Sequence, residues 1–378
     1  MDFYFALNHE LILQYGRGLR LMVKVLMIGF DESVYWCAYF AGYEVVVLGK
    51  PRNRVVIESD RLFSKYHEVD IDSFAKADES LVGIINEIVL AEDIQFVSPS
   101  GQGSSIFLGK YGNRILEQVK VVPVPDHELF FLLDNKCTCF DFCTSRGIPH
   151  ARSLRLQAIP EEVTCDYAYP VVVKEADAAG GRGVHYATSL SVLHELLRNK
   201  KMQYPLLLQE FVEGEDVAFN GFCLDGKVVA CNMQHFMRVP LADGTVRVDV
   251  FVHNEKVRQV AEQLIEAVNY SGPINIDTRV RSSDGMPYII DVNPRFWGGT
   301  QRSLVDGINY LSVALGFLSE HPRSQAGVNG YWVVDCKSCA KSAMKGDRRA
   351  LKLLLGLHPI QLRHQWQLLW SRLGRLVA

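Results

Sequence analysis

The first apolar run of the chain is short and uniform. Residues 23–28 are mostly aliphatic and stop at Gly29, which is typical of a strand buried on both faces of a parallel sheet. A helix is predicted over residues 32–41 and a second strand over residues 44–48. The alternation continues with one helix and two strands, at residues 81–90, 94–97 and 119–122. This pattern predicts a small open α/β domain over residues 22–125.

The pattern changes after Pro125. A helix is predicted over residues 135–146, and strands and helices then alternate from Tyr169 to Phe317. A strand at residues 330–335 precedes the C-terminal tail. We therefore divide the chain into an N-terminal extension, the α/β domain, a larger domain and a tail, at residues 1–21, 22–125, 126–320 and 321–378.

The tail combines leucines and tryptophans with arginines and lysines. Residues 351–355 and 362–376 fit a pair of basic amphipathic helices. From Lys337 onward there are nine lysines and arginines against one acid, Asp347, although the whole chain has a net charge of -3. Such helices either pack on the body of the protein or contact an anionic membrane surface or a protein partner. The overall charge argues against a nucleic-acid-binding protein.

The composition is that of an ordinary soluble globular protein, with 48% apolar and 22% charged residues. No apolar run approaches the roughly 18–20 residues of a membrane span. Residues 1–21 make a poor signal peptide, because acids come early, arginines come late and no small-residue cleavage site follows. The nine cysteines are scattered, which predicts reduced thiols and a cytoplasmic protein.

A lysine and a group of glycines lie around a predicted hairpin turn. The apolar strand at residues 170–175 carries Lys174 near its end, and Gly180, Gly181 and Gly183 follow. Glycines let backbone N–H groups approach phosphate oxygens, and a lysine neutralises phosphate charge. The turn is neither a Walker A loop nor a dinucleotide fingerprint, because no Gly-Lys-Ser/Thr string and no helix follow. Taken alone, a phosphate-binding loop and a plain flexible hairpin both stay open.

A second apolar strand, at residues 206–208, runs into polar residues. Gln209 and Glu210 follow it, and Asp216 comes after a glycine. A strand edge at this point offers backbone donors and acceptors to a flat base, and an acid can hold ribose hydroxyls. A solvated turn is the simpler interpretation when the segment is taken alone.

The most informative segment is a predicted hairpin with three oxygen ligands. Asp277 lies on one strand, and Asp291 and Asn293 lie on the other after a turn at residues 283–285. The spacing of two places Asp291 and Asn293 on one face, and Asp277 can pair onto that face. Two carboxylates and an amide oxygen suit Mg²⁺ shared with a polyphosphate, whereas burying two acids without a cation is costly. Arg295, a further two residues on, points to the same place.

Taken in order, these segments resemble the ATP-grasp superfamily. The resemblance rests on the lysine strand, the glycine turn, the adenine-edge strand and the Asp-Val-Asn-Pro-Arg string at residues 291–295, and it covers Asp134 to about Gly316. It implies an α/β protein. A small N-terminal open α/β (pre-ATP-grasp) domain would precede a two-lobed ATP-grasp α+β domain and a helical basic C-terminal tail.

The resemblance also implies roles for individual residues. Those implied to contact ATP are Lys136, Lys174, Gly180, Gly181, Arg182, Gly183, Gln209, Glu210, Val212 and Asp216. Those implied to hold Mg²⁺ or Mn²⁺ are Asp277, Asp291 and Asn293. Arg295 is implied to steady the transferred phosphoryl group. Arg238 is either a ligand of the acyl substrate or γ-phosphate, or an exposed arginine at a strand edge.

Two residues depart from the family pattern. Gln209 is an amide where an acid is frequent, and Asp291 is shorter than the usual glutamate. The first difference would weaken nucleotide selectivity, and the second would alter the number of metal ions.

The activity implied by the resemblance is that of an ATP-dependent ligase. Such enzymes activate a carboxylate as an acyl phosphate, release ADP and transfer the acyl group to an amine. ATP, Mg²⁺ and small-molecule carboxylate and amine substrates are therefore expected, with a homodimer as the expectation from the family. A carboxylase or carbamoyl-phosphate-type enzyme that uses bicarbonate is one alternative, and a non-catalytic ATP-binding regulatory module is another.

Overall fold

The structure is a computed structural model that describes residues 23–50, 63–69, 72–158, 166–177, 183–198, 202–242, 244–317 and 331–366. Three regions of the sequence interpretation lie outside the described residues. They are the predicted N-terminal extension, the centre of the glycine turn at residues 178–182, and the end of the tail beyond residue 366.

The N-terminal part is built on a five-stranded parallel sheet. Its strands are β1 (Lys24–Ile28), β2 (Glu44–Gly49), β3 (Phe63–Glu68), β4 (Phe96–Pro99) and β5 (Lys120–Val121), in the order β3-β2-β1-β4-β5. Its helices are α1 (Glu32–Ala41), α2 (Asp72–Ala75), α3 (Leu81–Ala91) and α4 (Gln102–Tyr111). Val25 packs in the apolar cluster that includes α1, whereas Leu26 packs in the cluster that includes α3. Burial on both faces explains why the first run is apolar throughout.

The boundaries of α1 follow from the residues at its ends. Asp31 caps the first turn by accepting a hydrogen bond from the Ser33 N–H, and Gly42 ends the helix with a φ of 74°. The predicted helix at residues 32–41 is confirmed.

Two strand predictions in this part were wrong in their boundaries. β4 starts at Phe96 and not at Ile94, because the Ile94 N–H still bonds to the Val89 carbonyl at the end of α3. β5 is shorter than predicted because the Val119 N–H bonds within a turn, to the Leu116 carbonyl.

Two antiparallel sheets form the larger part of the protein. The small sheet has the order β6-β9-β7-β8, with β6 (Ser153–Leu156), β7 (Val171–Glu175), β8 (Val184–Ala187) and β9 (Leu206–Glu210). The large sheet has the order β14-β13-β10-β11-β12-β15, with β10 (Gly214–Leu224), β11 (Lys227–Leu241), β12 (Gly244–Val252), β13 (Gly272–Arg281), β14 (Pro287–Asn293) and β15 (Tyr331–Val333).

The helices of this part are α5 (His127–Asp134), α6 (Lys136–Arg146), α7 (Leu190–Arg198), α8 (Glu255–Ala267) and α9 (Tyr310–Leu315), and a 3-10 helix spans Thr300–Asp306. The predicted alternation of strands and helices was wrong between Gly214 and Val252, where β10, β11 and β12 follow one another without a helix.

The large sheet has an apolar face and a polar face. Helix α8 covers the apolar face, where its Leu264 shares a cluster with Ile274 and Ile276 of β13. Because side chains alternate along a strand, Asn275 and Asp277 lie on the opposite face. The face away from α8 thus carries Asn275 and Asp277, and Phe222 and Ala230 on the same face share an apolar cluster with Leu311 of α9.

The C-terminal part folds back onto the large sheet. After β15 it contains α10 (Cys336–Met344), α11 (Arg348–Leu355) and a helical segment at residues 359–366. Val248 of β12 shares an apolar cluster with Cys339 and Ala350. The described half of the tail therefore packs on the protein, and a contact with a membrane or a partner stays a prediction. Among the described residues, no helix is both long and apolar enough to cross a bilayer.

His364 packs the last described helix against the N-terminal part and against the large sheet. Its ring lies edge-on to Trp36 of α1 and Trp332 of β15, with centroid distances of 4.7 and 5.2 Å. The ring is buried, and neither nitrogen has a hydrogen-bond partner within the described structure. Burial, together with the charge of Arg302, lowers the pKa of His364 from 6.5 to about 4.

We expect this histidine to make the protein less stable as the pH falls below 6.5. The unfolded chain takes up the proton at its ordinary pKa, whereas the folded chain excludes it down to about pH 4, so stability is complete above 6.5 and is lost toward 4. Between about pH 7.5 and about pH 5 the loss from this residue is about 2 kcal/mol.

Urea unfolding of the wild type and of His364→Phe across this pH range measures the effect. The variant should lose less stability than the wild type by that amount. If the free energy of unfolding changes equally with pH in the two proteins, folding is not linked to the protonation of His364.

Candidate active site

The β13–β14 hairpin brings the three predicted oxygen ligands together. Asp277 pairs directly with Asp291, and Asn275 pairs with Asn293 in the same register. All four side chains lie on the polar face of the large sheet. Like charges directly opposite each other destabilise an antiparallel pair, so this arrangement holds a repulsion that a bound cation would relieve.

A β-bulge at Ile290 positions Lys174. Asp277 pairs with Asp291, but Thr278 pairs with Ile289, which leaves Ile290 as the extra residue of the bulge. The Ile290 carbonyl accepts a hydrogen bond from the Lys174 ammonium at 2.7 Å. The bulge therefore brings a lysine of the small sheet beside the acids of the large sheet.

Lys136 approaches the same acids from α6. Asn135 caps this helix by accepting hydrogen bonds from the N–H groups of Cys137 and Thr138, which places the lysine in the first turn. The Lys136 side chain is 6% exposed, and its Nζ lies 3.3 Å from Asp291 Oδ1. Two lysines from different elements thus meet one pair of carboxylates.

Burial and mutual repulsion perturb the charges of this group. Burial, followed by the charge of Asp291, raises the pKa of Asp277 from 3.8 to about 7. Burial lowers the pKa of Lys174 from 10.5 to about 8, against the attraction of Asp291. Both shifts disfavour the charged form of the group relative to its state in water. A divalent cation and a polyphosphate together would favour both charged forms.

The donor set fits a magnesium or manganese ion that is shared with phosphate. Asp277, Asp291 and Asn293 offer hard oxygen donors, which Mg²⁺ prefers. Throughout the described ranges, no three His, Cys, Asp or Glu side chains gather into a metal cluster. Phosphate oxygens and water would have to supply the other ligands, as is usual for Mg²⁺.

Arg295 joins the end of the hairpin to its surroundings. Its Nη2 donates to Asn293 Oδ1 at 2.8 Å, and its buried Nε has no hydrogen-bond partner within the described structure. Its charge also acts on Asp31, the cap of α1, and on Asp134 at the end of α5, and burial raises the pKa of both carboxyls. The arginine therefore lies between the N-terminal part and the acid hairpin, and its Nε–H can donate to a further acceptor.

The predicted adenine edge lies on β9 and the residues after it. Gln209 is buried, and its amide donates to Ser153 Oγ at 3.0 Å. The Glu210 carboxylate accepts hydrogen bonds from Arg152, at 2.8 Å from Nε and 3.0 Å from the backbone N–H. Val212 is also buried. The side chains of Gln209 and Glu210 are thus engaged within the protein. The Glu210 N–H also bonds to the Arg152 carbonyl, and the Val212 carbonyl accepts from Arg279 Nε, so contact of this segment with a base stays a prediction.

Arg279 is a residue of this region that the sequence interpretation missed. Its guanidinium contacts four residues of one turn, namely Phe211, Val212, Gly214 and Asp216. The distance from Nη1 to Asp216 Oδ1 is 2.9 Å, so the predicted ribose acid is held by a charged partner. Arg279 lies two residues after Asp277 on the same strand face, and this spacing was the available signal.

The glycine turn is described only at its end. Gly183 has a φ of 68°, and its carbonyl accepts a hydrogen bond from the Glu175 N–H at 3.0 Å. Gly180, Gly181 and Arg182 lie outside the described residues, so their contact with phosphate stays a prediction.

Arg238 and Arg302 occupy different surroundings. Arg238 is exposed on β11, on the polar face of the sheet and opposite Arg247 of β12. Arg302 is mostly buried and donates to Asp249, which is fully buried and also accepts from Arg247 Nε at 2.6 Å. These contacts place Arg302 in a buried charged group, and the role of Arg238 stays a prediction.

Comparison with known families agrees with this geometry. Residues 134–299 match a family model described as an ATP-grasp domain. The matched range contains both lysines, the acid hairpin and Arg295. This part of the chain is an ATP-grasp domain, and the resemblance drawn from the sequence is confirmed.

The relatives differ in how much of their length this chain covers. The carbamoyl phosphate synthase large chain of Agathobacter rectalis is 25% identical over an alignment of 302 residues that covers 72% of this chain and 27% of that protein. The chain thus spans about a quarter of the length of this curated relative.

Two solved structures illustrate the likeness in fold. The L-amino acid ligase from Bacillus licheniformis has a TM-score of 0.57 at 15% identity, over 78% of this chain and 73% of that chain. The biotin carboxylase domain dimer of the Hydrogenobacter thermophilus 2-oxoglutarate carboxylase, in complex with MgADP, ADP and bicarbonate, has a TM-score of 0.57 at 15% identity, over 82% and 74%. At such identities the likeness shows the fold, and the predicted fold class is confirmed.

Proposed function

We propose that the protein is an ATP-dependent ligase that activates a carboxylate as an acyl phosphate, releases ADP and transfers the acyl group to an amine. The observation that carries this proposal is the convergence of two buried lysines on the paired acids Asp277 and Asp291. Lys136 contacts Asp291, and Lys174 bonds to the carbonyl of Ile290, the residue before Asp291. A group with two buried cations and two paired carboxylates suits a polyphosphate that carries a divalent cation.

The proposal includes the division of the chain and its setting. Residues 22–125 form the pre-ATP-grasp domain, residues 126–320 the ATP-grasp domain, and residues 321–378 an appended tail. The substrates are a small-molecule carboxylate and a small-molecule amine, and the protein acts in the cytoplasm as a homodimer. The structure of the biotin carboxylase domain, which is a dimer, supports the last point by analogy alone.

Each charged residue has a separate task in the proposed reaction. Lys174 regains its full charge beside the phosphates, although burial lowers its pKa to about 8 in the protein alone. Lys136 balances Asp291 and is within reach of the same phosphates. Arg295 donates to the transferred phosphoryl group from the end of the hairpin. Mg²⁺, held by the hairpin oxygens, would withdraw charge from the phosphates.

The two steps follow from the charges of the substrates. A carboxylate oxygen attacks the γ-phosphorus and ADP leaves. The amine nitrogen then attacks the acyl carbon, phosphate leaves, and the nitrogen loses a proton. The first step joins two anions, which requires the cations of the site. The acyl phosphate is sensitive to water, so the second step requires a site from which water is excluded.

A second candidate is an enzyme that activates bicarbonate. The relative in Agathobacter rectalis is named for carbamoyl phosphate synthesis, and the biotin carboxylase structure contains bicarbonate. The same lysines and acids would serve that reaction, because bicarbonate is also a carboxylate-like anion.

The test is an assay with ATP, Mg²⁺ and pools of amino acids and other small carboxylates and amines, with and without bicarbonate. We expect release of ADP and phosphate that depends on both a carboxylate and an amine, and an amide product in the mass spectrum. Hydroxylamine in place of the amine should yield an acyl hydroxamate, which reports the acyl phosphate directly.

Other outcomes separate the alternatives. Release of AMP and pyrophosphate in place of ADP would rule out the acyl phosphate mechanism. Turnover with bicarbonate but with no organic carboxylate would favour the second candidate. ATP binding without turnover in any pool would favour a regulatory module.

A further inference from the structure

A row of asparagines crosses the large sheet beside the proposed metal site. Asn293 on β14, Asn275 on β13, Asn220 on β10 and Asn232 on β11 are paired in register across four adjacent strands. Asn220 and Asn232 are fully buried, and Asn275 is nearly so. Asparagine is depleted in strands and is mostly exposed in proteins, so four in one register call for an explanation.

The four side chains form one continuous line of hydrogen bonds. Asn293 Nδ2 donates to Asn275 Oδ1 at 2.9 Å, and Asn275 Nδ2 donates to Asn220 Oδ1 at 3.0 Å. Asn220 Nδ2 then donates to Asn232 Oδ1 at 3.3 Å, and the Tyr310 hydroxyl lies 3.1 Å from that oxygen. Every amide in the row therefore points in the same direction.

Arg295 sets this direction. A guanidinium has donors only, so the Asn293 atom that it contacts at 2.8 Å must be the oxygen. Asn293 must then turn its nitrogen to Asn275. Asn275 and Asn220 likewise accept with their oxygens from the preceding residue of the row and donate with their nitrogens to the next. The far end leaves the direction open, because the Tyr310 hydroxyl can donate or accept and Asn232 Nδ2 has no partner within the described structure.

We propose that Asn275 and Asn220 are positioning residues that hold the oxygen of Asn293 toward the metal ion. The inference rests on the proposed role of Asn293 as a metal ligand. Arg295 holds the oxygen side of the Asn293 amide, and Asn275 and Asn220 hold its nitrogen side, because an amide that turned over in this row would set oxygen against oxygen and nitrogen against nitrogen. Asn220 acts through Asn275 from two strands away, about 10 Å from Asn293 at a strand spacing of about 4.8 Å.

A row with a merely structural role makes a different prediction. In that case the loss of any buried asparagine of the row would lower stability. The affinity for metal would then change no more in an Asn220 variant than in an Asn232 variant. Asn220 and Asn232 are neighbours with equal burial, so they form a matched pair. Asn220 lies between the far end and Asn293, whereas Asn232 only receives the last hydrogen bond.

The experiment compares Asn220→Leu, Asn220→Asp and Asn232→Leu with the wild type. Mn²⁺ is titrated into each full-length protein saturated with ADP, and free Mn²⁺ is read by electron paramagnetic resonance. Asn220→Leu removes the acceptor of Asn275 and should weaken Mn²⁺ binding about ten-fold. A buried aspartic acid stays protonated and offers one acceptor and one donor, so Asn220→Asp should stay within about two-fold of the wild type. Mn²⁺ binding by Asn232→Leu should also stay within about two-fold of the wild type.

Two further measurements separate structure from positioning. ADP affinity in the presence of EDTA should be unchanged in all variants, and the melting temperatures of Asn220→Leu and Asn232→Leu should fall together. If Asn220→Leu does not fold, Asn220→Ala removes the same acceptor and carries the test.

The results also separate this inference from the proposed function. Wild-type protein that binds no Mn²⁺ with ADP, or Asp291→Asn protein that binds it normally, would overturn the metal site itself. Metal binding that is lost in Asp291→Asn but normal in Asn220→Leu would overturn only the positioning role.

Discussion

Replacing Asp291 by asparagine is expected to abolish turnover while the protein stays folded. The side chain keeps its size, but the site loses one of its two paired carboxylates and thus a metal ligand. A loss of several kcal/mol of charge stabilisation corresponds to a fall in kcat of about 10³-fold or more. The rate is measured as ADP release with the substrate pair found in the pool assay.

Stability is expected to change far less than activity in this variant. The substitution removes the repulsion between Asp277 and Asp291 but also weakens the contact with Lys136, and the two effects oppose each other. Asp284→Asn is the matched control, since Asp284 lies exposed in the turn of the same hairpin and should leave the rate within about two-fold. Full activity in Asp291→Asn would show that the metal assignment is wrong.

Replacing Lys174 by methionine is expected to lower kcat/KM for ATP by about 100-fold or more, because a charge-assisted contact to phosphate contributes about 1.5–3 kcal/mol and is strengthened by burial. Methionine fills nearly the same space without the charge. The lysine is desolvated in the protein alone, as its lowered pKa of about 8 shows. Its loss should therefore not reduce the free energy of unfolding.

The matched control is Lys227→Met, which removes an exposed lysine at the start of β11. ATP affinity by calorimetry and the melting temperature should be measured for both variants. A Lys174→Met protein with normal ATP affinity and reduced stability would mean that the bond to the Ile290 carbonyl is structural and that the lysine does not meet phosphate.

Features that depend on neighbours along the chain could be predicted from the sequence. The helix α1 is bounded by Asp31 and Gly42, and both mark helix ends by their chemistry. Asp291 and Asn293 share a face because they are two residues apart in a strand. The succession of an open α/β part and an α+β part was implied by the resemblance, and the fold confirms it.

Features that depend on distant residues could not be predicted. The bulge at Ile290 does not show in the alternation of β14, and its partner Lys174 is 116 positions away. The bond between Asn275 and Asn220 joins residues 55 positions apart and requires β10 to lie beside β13. The run of three strands from Gly214 was misread because long antiparallel strands need no helix to connect them.

The two faces of the large sheet have different tasks. One packs the core under α8, and the other carries residues of the proposed reaction. Ile274, Ile276 and Val292 belong to the core under α8, whereas Asn275 and Asp277 between them do not. A substitution of Asp277 leaves this apolar cluster intact, so a descendant gene could lose catalysis and still encode the same domain. Along a single strand, odd and even positions are thus free to diverge under different selection, one for folding and the other for reaction.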